Sequence, residues 1–120
     1  MATKNVNLQM TRGDSQQLLG TLTPATGRTF STPISALRFT ARRQSGDYGL
    51  VLQKTIGSGI AIVSQSSTSI SYTIDFAPTD TSVLTGNNDL ALSYDLELTE
   101  GNGWVSTPVG GSLAILKDIG

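Results

Sequence analysis

Cysteine and histidine are both missing from the 120 residues. The first absence excludes disulfides, thiolate metal sites and thiol nucleophiles. The second removes the common serine triad, the cysteine dyad and imidazole metal centres. Charge is scarce as well, at 14% of residues, and eight Lys and Arg against nine Asp and Glu leave a formal net charge of −1. No electrostatic footprint for nucleic acid or an anionic membrane follows from such a balance. Long apolar runs are lacking, and the N-terminus MATKNVNLQM has no continuous apolar stretch of the secretory kind. Synthesis and folding in a cytoplasm is the expectation. No cofactor is implied, because Gly57-Ser58-Gly59 lacks the Lys and the helix of a phosphate loop and no calcium loop of alternating acids occurs.

What is present is Ser, Thr, Gly and Asn among 38% apolar residues, the composition of a sheet protein with a hydroxyl-rich solvent face. The dominant period is two. Val6, Leu8 and Met10 alternate with polar neighbours, as do Leu37, Phe39 and Ala41, and Ile70, Tyr72, Ile74 and Phe76. Leu90, Leu92, Tyr94, Leu96 and Leu98 form the clearest strand. Shorter candidates are Gln17 to Thr23, Leu50 to Thr55, Ile60 to Ser64, Trp104 to Thr107 and Ser112 to Lys117. Turn clusters at Gly46 to Gly49, Gly57 to Gly59, Gly86 to Asn88 and Gly101 to Gly103 punctuate them. One short helical turn is expected at Ala77 to Leu84, with Pro78 at its start. Residues 1–120 are thus read as a single all-β domain of about eight short strands, a sandwich or a barrel.

Carboxylates are the remaining catalytic chemistry. Asp95 and Glu97 project from one strand face, about 6.5 to 7 Å apart at Cα, with Asp75 on a comparable face of another strand. A glycosidase-type pair has that spacing, but acids that keep an outer face wet, beside Arg38 and Arg42, are the ordinary explanation. The expectation is that the protein is not an enzyme. Candidate partner contacts are Asn5 in the N-terminal segment, Arg28 and Phe30 in the long loop Pro24 to Ile34, the basic pair Arg42 and Arg43, Tyr48, and the lone Trp104.

Arg12-Gly13-Asp14 spells the tripeptide that adhesion proteins present to integrins, and Gly13 would equally permit a turn there. In order along the chain it is followed by Leu37-Arg38-Phe39-Thr40-Ala41-Arg42, Leu52-Gln53-Lys54-Thr55, Ile74-Asp75-Phe76-Ala77-Pro78-Thr79-Asp80 and Leu92-Ser93-Tyr94-Asp95-Leu96-Glu97-Leu98, and it closes on Val109 to Ile115. From about Val6 to Ile119 this succession resembles the N-terminal domain of phage upper baseplate proteins and its stand-alone phage and prophage relatives. The resemblance implies an immunoglobulin-like β-sandwich serving as an assembly module of a bacteriophage virion. Its partners would be other virion proteins of the baseplate, tail, neck or capsid, with the chain itself a homo-oligomer in the particle. Neither nucleic acid nor membrane is an expected partner. Baseplate members continue into a stalk where this sequence stops at Gly120, so an adaptor or a capsid decoration is open. The alternative is a module that binds the host surface or a carbohydrate, which needs a cluster of exposed aromatics.

Overall fold

The computed structural model describes residues 2–11, 13–43, 50–82 and 90–116, most of them in strands. Among the described residues nine strands form, in chain order β1 (Ala2–Asn5), β2 (Leu8–Thr11), β3 (Gln16–Leu22), β4 (Ala36–Arg43), β5 (Leu50–Ile56), β6 (Gly59–Gln65), β7 (Ile70–Phe76), β8 (Leu90–Thr99) and β9 (Val105–Leu116). The all-β expectation holds. They join one continuous sheet in the order β1, β9, β8, β4, β5, β6, β7, β3, with β2 also on β9. The sheet curls into a near-barrel. Strands β5 and β6 are joined through the turn at Gly57, with only Thr55 opposite Gly59 and Ile56 opposite Ile60.

The inward phases read from the sequence meet in one core. Leu37, Phe39, Ile70, Ile74, Leu92, Leu96, Leu98, Leu113 and Ile115 are fully buried. Phe39 lies at its centre, edge-on to Phe76 at 5.5 Å and stacked with Tyr94 at 5.2 Å between ring centroids. Burial of this kind stabilises by roughly 1.5 to 3 kcal/mol per large side chain.

Two details differ from the expectations. Trp104 to Thr107 and Ser112 to Lys117 are not separate strands; Val105 to Leu116 is one strand of 12 residues paired to β8 over most of its length. The first strand, expected around Val6 to Met10, is instead a ribbon over residues 2–11 interrupted at Val6 and Asn7, yet β1 and β2 keep the same parallel register on β9. Asn7 preserves it by accepting from the N–H and Oγ of Ser112 with its side-chain oxygen, at 3.3 and 3.0 Å. The helical turn forms as α1, which spans Pro78–Ser82; the expected continuation to Leu84 lies outside the described residues. Asp80 accepts from the N–H of Ala77 at 2.7 Å and pairs with Lys54 Nζ at 2.7 Å, tying α1 to β5.

Between β2 and β3 the chain reverses as expected. Gly13 has φ 83°, and the N–H of Asp14 donates to the carbonyl of Thr11 at 3.2 Å. Arg12, the first residue of the adhesion tripeptide, lies outside the described residues.

Candidate functional site: an open cleft beside β3

The whole N-terminal ribbon runs along β9, so none of it reaches the far end of the sheet. There β3 pairs only with β7, from Gln16 with Phe76 to Leu22 with Ile70. Its other edge has no strand beside it among the described residues. Between this lip and the lip made by Val6, Leu8, Pro108 and Val109 lies a cleft of about 590 Å³. That volume is in the range of ligand and side-chain pockets. Leu18, Leu22, Phe39, Ile74 and Leu96 make its wall apolar.

Two tyrosines stand on opposite sides of the cleft. The Tyr94 hydroxyl donates to the backbone carbonyl of Val6 at 2.6 Å, pinning the ribbon to its lip. Burial, and secondarily the charge Tyr72 acquires on ionising, push the Tyr94 phenol up to about 12. Tyr72 is only 6% exposed and lines the same cleft. Its hydroxyl has no hydrogen-bond partner among the described residues, and burial raises its pKa. Gly20, directly opposite on β3, makes room for the ring: a Cβ there would lie 2.3 Å from the Tyr72 ring and hydroxyl.

At the end of the cleft the long loop and the β8 to β9 turn form a platform. Glu100 is the buried acid of this pole, 2% exposed, and accepts from the N–H of Ser31 at 2.7 Å with Arg28 at 3.9 Å. Arg28 also lies over the Trp104 ring, 4.0 Å from its centroid. The loop is fastened at further points. The N–H of Phe30 donates to the carbonyl of Ser67, that of Ile34 to Gln65 Oε1 and that of Gly101 to the carbonyl of Ser31, each at 2.8 Å. Gly101 permits that approach, since a Cβ would meet the Pro33 carbonyl oxygen at 2.5 Å. The irregular segment is therefore a preorganised surface.

Arg28, Phe30 and Trp104, named from sequence as partner contacts, gather at this pole. Trp104 is half exposed, whereas Phe30 is buried and forms part of the cleft wall. Arg42 and Arg43 are exposed at the other end of β4, roughly 23 Å away along the strand. Asn5 sits opposite Gly110 on the β9 lip, and Tyr48 lies outside the described residues. The carboxylates of β8 lie on the outer face, where Glu97 has an ordinary ion pair. Arg38 Nη2 donates to Glu97 at 2.7 Å, Asp95 stands opposite Thr40, and Asp75 takes a 2.8 Å bond from Gln17 on another part of the sheet.

No family model and no curated protein matches the chain. Solved structures do. One is murine CRIg, 9% identical over 93% of this chain and 92% of that one, with a TM-score of 0.40.

Glu100, Tyr72 and the β3 lip were not singled out from the sequence as functional. Glu100 had a signal: it continues the inward phase of Leu96 and Leu98, and an acid on a buried phase needs a dedicated partner.

Proposed function

We propose that this chain is an immunoglobulin-like β-sandwich acting as a non-enzymatic assembly module of a bacteriophage particle, docking other virion proteins in the baseplate, tail, neck or capsid. The observation that carries the docking role is the edge of β3, unpaired among the described residues, beside an apolar cleft. A bare edge is a hazard for an abundant sheet protein unless a neighbour covers it. Strand order supports the sandwich. Run in sequence from β9, the path β9, β8, β4, β5 and then β6, β7, β3 corresponds to G, F, C, C′ and D, E, B of a variable-type domain. The resemblance to phage baseplate domains supports the virion setting, with assembly in the host bacterial cytoplasm and the chain repeated by the symmetry of the particle.

The exposed ring of Trp104 favours the second reading, a host-surface or carbohydrate-binding module. Its aromatic platform consists of one ring with Arg28 across it, which is small for a sugar site.

Quantitative mass spectrometry of purified particles tests the proposal. Copies in the hundreds per particle indicate a capsid decoration, and small multiples of three or six indicate the tail, neck or baseplate. Absence from particles overturns it.

A further inference from the structure

In an immunoglobulin sheet of order A, B, E, D, strand A lies antiparallel to B. Here the N-terminal ribbon lies wholly on β9, so the place beside β3 is empty among the described residues. We propose that this place is a strand-acceptor site, filled by an extended segment of another protein added antiparallel to β3. The inference rests on the docking role above and specifies its occupant.

Four features define that segment. Its length follows from β3, seven residues or about 23 Å. Half of the β3 backbone groups face outward on an edge strand and supply the ladder of hydrogen bonds. Medium apolar residues at alternate positions fill the cleft between Leu18, Leu22 and Ile74, while the intervening polar residues face solvent beside Gln17, Leu19 and Thr21. The Tyr72 hydroxyl provides a donor for one of its carbonyls. Tyr94 already performs that service on the opposite lip, where it holds Val6.

Charge fixes the orientation. Asp14 and Asp75 are exposed at the Gln16 end of β3, Asp75 accepting from Gln17, and Arg28, which lies beside Glu100 and over Trp104, keeps 40% of its side chain exposed at the Leu22 end. An antiparallel segment therefore carries an acidic residue at its start, near Arg28, and a basic residue at its finish. A side chain with two apolar branches, such as Val, suits the cleft positions.

The probe is the capped peptide Glu-Val-Thr-Val-Thr-Val-Lys, titrated into the isotope-labelled full chain by NMR, with Lys-Val-Thr-Val-Thr-Val-Glu as the control. The expected result is saturable binding with shifts confined to β3 and the cleft wall, and a preference of about tenfold for the first peptide. Leu18→Lys, which buries a charge in the cleft, should abolish binding, and Tyr72→Phe, which removes only the donor, should weaken it several-fold. Both variants are checked for an unchanged fold by the dispersion of the remaining resonances. No saturable binding by either peptide overturns the inference. So does binding that Leu18→Lys leaves intact, or occupation of the β3 edge by a second copy of the chain. Peptide failure with the chain present in particles overturns this inference alone, whereas peptide binding with the chain absent from particles overturns only the virion role.

Discussion

Strands β8 and β3 belong to one sheet and are built on opposite terms. β8 is paired on both sides, to β4 and to β9, and Leu92, Tyr94, Leu96 and Leu98 on it are at most 6% exposed. Among the described residues β3 is paired on one side only, and Leu19 on its outer face is 70% exposed. A strand enclosed on both edges can be read as stability. A strand bare on one edge, next to an apolar cleft, has surface left over for a partner.

The largest expected effect separates the two regions by burial. Phe39→Ala, at the junction of β4, β7 and β8, should cost about 3 to 5 kcal/mol in chemical denaturation. Leu18→Ala on the β3 lip, half-buried against an open cleft, should cost about 1 kcal/mol. Equal losses would mean that the lip is packed as tightly as the core.

Glu100→Ala comes next, at about 2 kcal/mol, because it leaves the half-buried N–H of Ser31 without its acceptor and frees Arg28 from its anion. The same denaturation series measures it, and a loss within 0.5 kcal/mol, a value of about the size seen for plain surface changes, would show that the pole does not depend on that acid.

A smaller effect sharpens the contrast between the two tyrosines. Tyr94→Phe breaks the 2.6 Å bond to the Val6 carbonyl and should cost about 1 to 2 kcal/mol. Tyr72→Phe removes a hydroxyl with no partner among the described residues, so the free protein should lose little, below about 0.5 kcal/mol. Matching losses would indicate that Tyr72 is already bonded and would remove it as a waiting donor.

A further effect is in alkali. An ordinary phenol has pKa 10.0, and in the folded chain Tyr94 is pushed up to about 12. Between those values the folded chain keeps a proton that the unfolded chain has released, so its stability is intact below pH 10 and falls as pH rises toward 12. Melting temperatures from pH 9 to 12 should decline from about pH 10 onward, and the decline should be shallower in Tyr94→Phe.

Much of the framework was legible because burial imposes its own period. The phases at Leu37 to Ala41, Ile70 to Phe76 and Leu92 to Leu98 are each buried as the alternation implies. The β3 lip was legible only as a short strand. Gln16-Gln17-Leu18-Leu19-Gly20-Thr21-Leu22 mixes phases because one edge and part of one face are not enclosed. Pairing order lies in contacts between distant residues, so alternation alone gives no hint that residues 2–11 all settle on β9. Contacts such as Arg28 with Trp104 depend likewise on how two loops meet, though both loops were marked as binding elements.

Residue-resolved amide hydrogen exchange on the free, full chain tests the central claim most directly. Alternate amides from Gln16 to Leu22, those bonded to β7, should be protected while the intervening ones exchange fast, and the amides of Leu92 to Leu96 on β8 should be protected in succession. Unbroken protection along β3 would mean that its outer edge is already paired, and the acceptor site would not exist.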